Sequence, residues 1–196
     1  MLDKLLFFKQ YREKYKEFYY NSYSIKEDNN TIRLEYEFEI PGLAKFNPKI
    51  SILKKKMKFK NINSVYVQNM VFHIGLIELI SYWKCTCSPT IVINCGYLDE
   101  EQIKWWKKLY YYGLSELFYQ NGIKTNITDF VDIICTISES TFEYNKSEDK
   151  YDGYIIPIGG GKDSIVTLET LKIDKNDNYC LIVNPKPTTL ECAKIA

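Results

Sequence analysis

The sequence is poor in metal ligands and carries no excess of either charge. His73 is the only histidine in 196 residues, and the six cysteines (Cys85, Cys87, Cys95, Cys135, Cys180 and Cys192) include no Cys-x-x-Cys pair. One imidazole and no paired thiols leave no zinc cluster of the usual spacing. Against 26 basic residues stand 25 acidic ones, a net charge of +1, which argues against a nucleic-acid partner held by a basic surface. Long apolar runs are missing too. The N-terminal MLDKLLFFKQYREK is interrupted by charge and has too short an apolar run for a secretion signal. The longest apolar stretch, Met70 to Trp83, contains His73 and Glu78 and is shorter than the ~20 residues of a membrane span. From these absences a soluble cytoplasmic protein is expected, with reduced thiols and neither a membrane nor a nucleic-acid partner.

Two nucleotide-binding signatures are absent as well. A Walker A loop would need a glycine at Ile156 and a hydroxyl at Asp163, and a Rossmann fingerprint would need a glycine at Ser164. What is present is Tyr154 to Leu171, YIIPIGGGKDSIVTLETL: a short apolar run, then Gly159-Gly160-Gly161, then Lys162-Asp163-Ser164 opening a helix-forming segment. Glycines let consecutive N–H groups converge, and a helix N-terminus adds about half a positive charge. The pattern fits the pyrophosphate (PP) loop, S-G-G-x-D-S, at Gly160, Gly161, Asp163 and Ser164, with Gly159 where the first serine would stand. A glycine-rich turn between strand and helix also occurs without a ligand, but the Lys-Asp-Ser that follows favours a phosphate cradle.

The rest of the chain reads as an α/β protein. Hydrophobic residues make up 45% and aromatics 15%, with 17 tyrosines, ample material for a core. Leu2 to Tyr20 places apolar residues at three- and four-residue steps, which predicts an amphipathic helix. Ile32 to Ile40 alternates apolar and charged residues and predicts a half-buried strand ended by Pro41-Gly42. Another strand is expected from Lys49 to Lys60, its lysine run read as a solvated face. Val65 to Trp83 is apolar nearly all round and predicts a buried helix. Gly75 at its middle costs about 1 kcal/mol relative to alanine, so a close packing contact is expected there. Thr90 to Asn94 and Phe130 to Ile137 read as buried strands. Asp99 and Gln102 match a capping box opening one long helix to Asn121-Gly122. The polar Glu143 to Gly153 is the best boundary. Hence two domains are expected: 1–148, mixed α+β, and 149–196, the first βαβ unit of a parallel-sheet PP-loop ATP-binding domain. Two strands after the boundary are fewer than such a sheet needs, so the chain is expected to be a fragment of a longer protein.

Three stretches carry a family resemblance: RLEYEFEIPGLAKFNP, the segment Phe72 to Ile123, and GGGKDSIVTLE. Most specific are SYWK-x-x-CSP (Ser81 to Pro89) and GYLDEEQI-x-WW (Gly96 to Trp106). From about Ile32 to its end the chain resembles the bacterial UDP-N-acetylmuramoyl-L-alanyl-L-glutamate epimerases. The resemblance implies an isomerase of peptidoglycan biosynthesis that uses ATP and Mg²⁺ to invert the terminal L-glutamate of UDP-MurNAc-L-Ala-L-Glu through an acyl-adenylate. Its pathway partners would be ligases that make this substrate or accept its product. Gly159, Gly160 and Gly161 would supply N–H groups to phosphate. Lys162 would neutralise charge, Asp163 would position Mg²⁺ or cap the helix, and Ser164 would donate to a phosphate oxygen.

The groups that move the proton are not identified. Cys87 is a candidate because thiolates serve other amino-acid racemases, with Cys85 expected to point the same way in an extended segment. His73 is the other candidate, although its apolar neighbours suit a packed histidine better. Trp105, Trp106, Tyr110, Tyr111 and Tyr112 include a possible platform for uracil, against the commoner reading as core. Other readings stay open: a different PP-loop adenylating enzyme of amide-forming or thiolation type, or a truncated chain that binds nucleotide without catalysis. A thiolation enzyme is expected to show a basic surface and a thiol pair, and neither is present.

Overall fold

The computed structural model describes residues 2–54, 61–139, 153–172 and 178–195. It divides into two compact units, 1–144 and 145–196, and the fold is mixed α/β, as the sequence pattern predicts.

In the first unit, α1 (Leu2–Lys14) leads into a six-stranded sheet made of β1 (Glu17–Glu27), β2 (Thr31–Ile40), β3 (Ala44–Phe46), β4 (Lys49–Leu53), β5 (Thr90–Ile93) and β6 (Asp132–Cys135). The strand order is β3-β2-β1-β5-β6, with β4 also paired to β2. β1 and β2 are an antiparallel hairpin, while β1–β5 and β5–β6 run parallel. Strand β1 is therefore the joint between a meander and a crossover-linked part. Its helices are α2 (Val65–Trp83), α3 (Glu100–Gly113) and α4 (Ser115–Asn121).

The helix expected over Leu2 to Tyr20 ends at Lys14, and β1 occupies its last third. Tyr15, Phe18 and Tyr19 continue the helical spacing, yet Phe18 and Tyr20 also alternate. In the sheet Phe18 and Tyr20 share one face and are both fully buried, at 0% exposure. Strand β2 matches its prediction, with Ile32, Leu34, Tyr36, Phe38 and Ile40 all buried on the core face. Strand β4 stops at Leu53; residues 55–60 of the longer strand expected there lie outside the described residues. The buried strand expected over Phe130 to Ile137 is shorter, Asp132–Cys135.

Helix α2 starts at Ser64, whose hydroxyl accepts from the Val67 N–H at 3.3 Å. Helix α3 opens with the predicted capping box: the Asp99 carboxylate accepts from the Gln102 N–H at 2.8 Å, and the Gln102 side chain accepts from the Asp99 N–H at 3.0 Å. The long helix expected to reach Asn121 is instead broken at Leu114, which has φ −99° and ψ 11° and is buried. Gly122, at φ +63°, closes α4 as a left-handed cap.

In the second unit β7 (Ile155–Pro157) pairs in parallel with β8 (Tyr179–Leu181), linked through α5 (Lys162–Leu171) and followed by α6 (Pro187–Ile195). Ile156, Ile158 and Leu168 form its small core, with Ile182, Cys192 and Ala193 packed around them. Most of the polar linker expected from Glu143 to Gly153 lies outside the described residues.

Gly75 sits in α2 where the Tyr20 ring crosses. A Cβ there would lie 2.5 Å from Tyr20 Cζ and 2.9 Å from Tyr36 Cε1, so the close packing predicted from the sequence is present. Gly75→Ala is expected to destabilise the first unit by about 1–3 kcal/mol, the usual cost of overpacking. The urea midpoint, followed by tyrosine and tryptophan fluorescence, checks this.

Candidate functional site

The glycine loop lies at the carboxyl ends of the two parallel strands, the edge at which open α/β sheets take their ligands. Strand β7 holds its register to the end, with the Ile158 N–H donating to the Leu181 carbonyl at 2.9 Å. The chain then turns. Gly159 N–H donates to the Ser164 hydroxyl at 3.0 Å, so Ser164 ties the loop back onto the helix start. Gly160 has φ +81°, which an L side chain rarely adopts. Gly161 is the N-cap of α5 in an extended conformation, its carbonyl accepting from Ser164 N–H at 3.1 Å.

Among the described residues, the N–H groups of Gly160, Gly161, Lys162 and Asp163 have no acceptor. A helix N-terminus with free donors favours an anion through both its hydrogen bonds and its dipole. The side chains of Lys162 and Asp163 are exposed. The structure therefore brings all six predicted loop residues into one turn. Their donor set fits the phosphates of ATP, and the single carboxylate of Asp163 fits a Mg²⁺ ion that takes most of its other ligands from phosphate and water. No group of three or more His, Cys, Asp or Glu side chains clusters as a metal site among the described residues.

One contact of this loop escapes sequence reasoning. The first turn of α6 packs on it: a Cβ at Gly160 would lie 2.8 Å from Thr189 Cγ2. Thr189 is buried, and its hydroxyl accepts from the Lys186 N–H at 3.0 Å while donating to the Lys186 carbonyl at 2.7 Å. The only trace in sequence is the helix-start pattern Lys186-Pro187 with a hydroxyl at Thr189. Its meeting with Gly160 is a tertiary fact.

The two candidate proton-transfer residues line different cavities of the first unit. Cys87 is buried at 5% exposure, and burial pushes its thiol up to about 11, away from a thiolate at neutral pH. Its thiol reaches the Lys84 carbonyl at 3.6 Å, and its own carbonyl accepts from Arg12 Nη1 at 2.5 Å. Cys85 and Cys87 do not share a face: they lie in a turn, with Cys87 at φ +51° and Cys85 exposed. His73 is half-buried in α2 and stacks on Trp106, centroids 5.7 Å apart at 11°. Burial lowers its pKa and so favours the neutral ring. Glu78 has Tyr82 as its hydrogen-bond partner at 3.4 Å, not His73.

The model of the MurL N-terminal domain matches residues 9–196. The chain belongs to that family. A curated relative, the UDP-N-acetyl-alpha-D-muramoyl-L-alanyl-L-glutamate epimerase of Xanthomonas oryzae pv. oryzae (strain MAFF 311018), is 27% identical over 110 residues. That match covers 56% of this chain and 24% of the relative, so the chain spans about a quarter of the length of the curated relative it matches. No solved structure matches the chain.

Within this MurL N-terminal domain, the two most distinctive sequence stretches turn out to be largely architectural. In Ser81 to Pro89 the Trp83 indole N–H donates to the Ser88 carbonyl at 2.8 Å, and the Thr86 and Ser88 hydroxyls pair at 2.8 Å, all buried. In Gly96 to Trp106, Gly96 makes room for the Phe72 ring and Trp106 is buried. No helix among the described residues is long and apolar enough to cross a membrane.

Two predictions follow from the cysteine and glycine environments. Iodoacetamide at pH 8 is expected to alkylate Cys85 in the folded protein well before Cys87, whose modification should rise only as pH approaches 11; peptide mass spectrometry reads both sites. Gly160→Ala combines a left-handed φ with the Thr189 contact. It should destabilise the second unit by roughly 1–3 kcal/mol, seen as lost amide protection in α6.

Proposed function

We propose that this chain supplies the ATP-phosphate cradle of a MurL epimerase, which inverts the terminal L-glutamate of UDP-MurNAc-L-Ala-L-Glu to D-glutamate in peptidoglycan synthesis. The observation that carries the reading is the loop Gly159 to Ser164, with four N–H groups at a helix start that have no acceptor among the described residues, in a chain that belongs to the MurL family. The relative's printed name gives the substrate and the reaction.

The chemistry asks for such a loop. A proton on the carbon next to a carboxylate is very weakly acidic, because removing it adds negative charge to an anion. When bound, ATP supplies an AMP group that turns the carboxylate into an acyl-adenylate and releases pyrophosphate, which makes the neighbouring C–H easier to ionise. The chain's own residues act on the leaving diphosphate. The N–H groups of Gly160, Gly161, Lys162 and Asp163 donate to its oxygens, and Lys162 offsets its growing charge. Ser164 holds the loop through Gly159 N–H and directs its own hydroxyl hydrogen to phosphate. Asp163 would hold a Mg²⁺ ion, which would supply positive charge to offset that of the leaving diphosphate. After the proton returns on the opposite face, water releases the epimerised product and AMP. A ligase of the same pathway consumes that product. No side chain is assigned to the proton transfer: burial keeps Cys87 a thiol, and its general-base capacity at neutral pH is low.

The test is incubation in deuterated water with ATP, Mg²⁺ and UDP-MurNAc-L-Ala-L-Glu, using both this chain and the longest reading frame that contains it. AMP together with D-glutamyl product deuterated at the α-carbon is the expected result. Lys162→Ala and Ser164→Ala should each lower kcat/KM by roughly 10²-fold, the scale of losing one preorganised donor. AMP without deuterium would assign the loop to a different acceptor, and no AMP from either protein would make it a structural turn.

A further inference from the structure

Of the aromatic group on α3, most is consumed by the fold. Trp106 and Tyr110 are buried, and Tyr110 donates to the Leu76 carbonyl at 2.6 Å. Tyr111 donates to the Thr125 carbonyl at 3.2 Å and packs on Phe118 and Phe130. Trp105 is left out, 57% exposed, its ring perpendicular to Trp106 at 5.0 Å. It lines an open cavity of about 300 Å³ with His73, Ile77, Gln102 and Trp106.

We infer that this cavity between α2 and α3 is a stacking pocket for a pyrimidine base, the uracil of a UDP-linked substrate. The inference rests on the epimerase reading for the identity of that substrate, but its geometry is independent of the glycine loop. Three observations point to a flat, uncharged, hydrogen-bonding guest. The first is an indole that is more than half exposed, set at right angles to a second indole that is already stacked with His73. Stacking on such a face is the usual way a protein holds a base that is not paired in a duplex.

The second is the absence of charge in the lining. Ile77, Gln102 and the two tryptophans carry none, and burial favours the neutral form of His73. A phosphate or carboxylate would find no counter-ion in this lining, whereas a neutral base needs none. The third is the supply of polar edges. The capping box uses Gln102 Oε1 to accept from Asp99, which fixes the side chain and leaves its amide N–H groups without an acceptor among the described residues. The neutral His73 ring brings one donor and one acceptor, neither hydrogen-bonded among the described residues. No fully enclosed side-chain nitrogen or oxygen there lacks a partner, so the imidazole nitrogens reach the cavity or solvent. Uracil, with two carbonyls flanking one N–H, matches that supply.

Equilibrium dialysis of labelled UMP against this chain tests the pocket. Saturable UMP binding is expected, with ribose 5-phosphate not competing. Trp105→Ala should weaken UMP by roughly tenfold or more, the scale of one base–aromatic stack, while Trp105→Phe retains most of the affinity. Because Trp105 is exposed, both variants should keep the wild-type melting temperature, and labelled ATP should bind them as it binds the parent. Absence of UMP binding at millimolar concentration, equal affinity in Trp105→Ala, or displacement of labelled UMP by AMP as readily as by unlabelled UMP would overturn the inference. So would a concentration-dependent dimer that Trp105→Ala abolishes in a chain that ignores UMP, since a second copy would then own this face. Epimerisation that proceeds without UMP binding refutes the pocket and leaves the epimerase reading intact; UMP binding without epimerisation does the reverse.

Discussion

The stack between Tyr20 of β1 and Phe72 of α2 is the constraint on which the first unit depends. The rings lie 5.7 Å apart at 10°, and the Tyr20 hydroxyl donates to the Phe72 carbonyl at 3.3 Å. Two glycines admit it: Gly75 lets the Tyr20 ring cross α2, and Gly96 lets the Phe72 ring reach the segment after β5, where a Cβ would sit 2.6 Å from Phe72 Cζ. The same strand that carries Tyr20 pairs antiparallel with β2 and parallel with β5. One aromatic contact thus locks the helix to the strand shared by the two halves of the sheet. Buried aromatic pairs add about 0.5–1.5 kcal/mol beyond their area. Their larger effect here is geometric, because α2 fixes where His73 and Ile77 stand relative to α3.

The second unit follows a different logic. Its core is small, and its organisation comes from backbone groups at the ends of β7 and β8. Gly160 turns the loop at φ +81°, Ser164 pins the turn, and Thr189 presses on Gly160 from α6. A loop held from both sides loses little freedom when an anion arrives, and preorganised donors of this kind favour a transferring phosphoryl group over the solvent it displaces. The first unit offers the contrasting chemistry: buried thiols held in the protonated form and a neutral imidazole, suited to uncharged surfaces.

Much of this was legible in the chain because the signals were local. The strand Ile32 to Ile40 shows its period in every residue, Asp99 and Gln102 lie within one turn, and Gly159 to Ser164 are contiguous. Gly75 was legible for a related reason, since a glycine mid-helix needs a packing cause. Where one pattern satisfied two periods, the reading failed. Phe18 with Tyr19 fits a continued α1, Phe18 with Tyr20 fits a strand, and only pairing with β2 and β5 decides between them. The break at Leu114 is hidden because the aromatic and aliphatic run continues across it. Cys85 and Cys87 were expected side by side, but a left-handed Cys87 separates them into exposed and buried positions. Thr189 lies 29 positions beyond Gly160 by residue number, and no local pattern announces their contact.

The account's central claim is that this loop holds the pyrophosphate released when ATP activates a carboxylate. Isotope exchange between labelled pyrophosphate and ATP measures that step directly. The account predicts exchange that requires UDP-MurNAc-L-Ala-L-Glu and disappears in a chain altered at Ser164. Product formation accompanied by ADP and inorganic phosphate, with no label entering ATP, would contradict it.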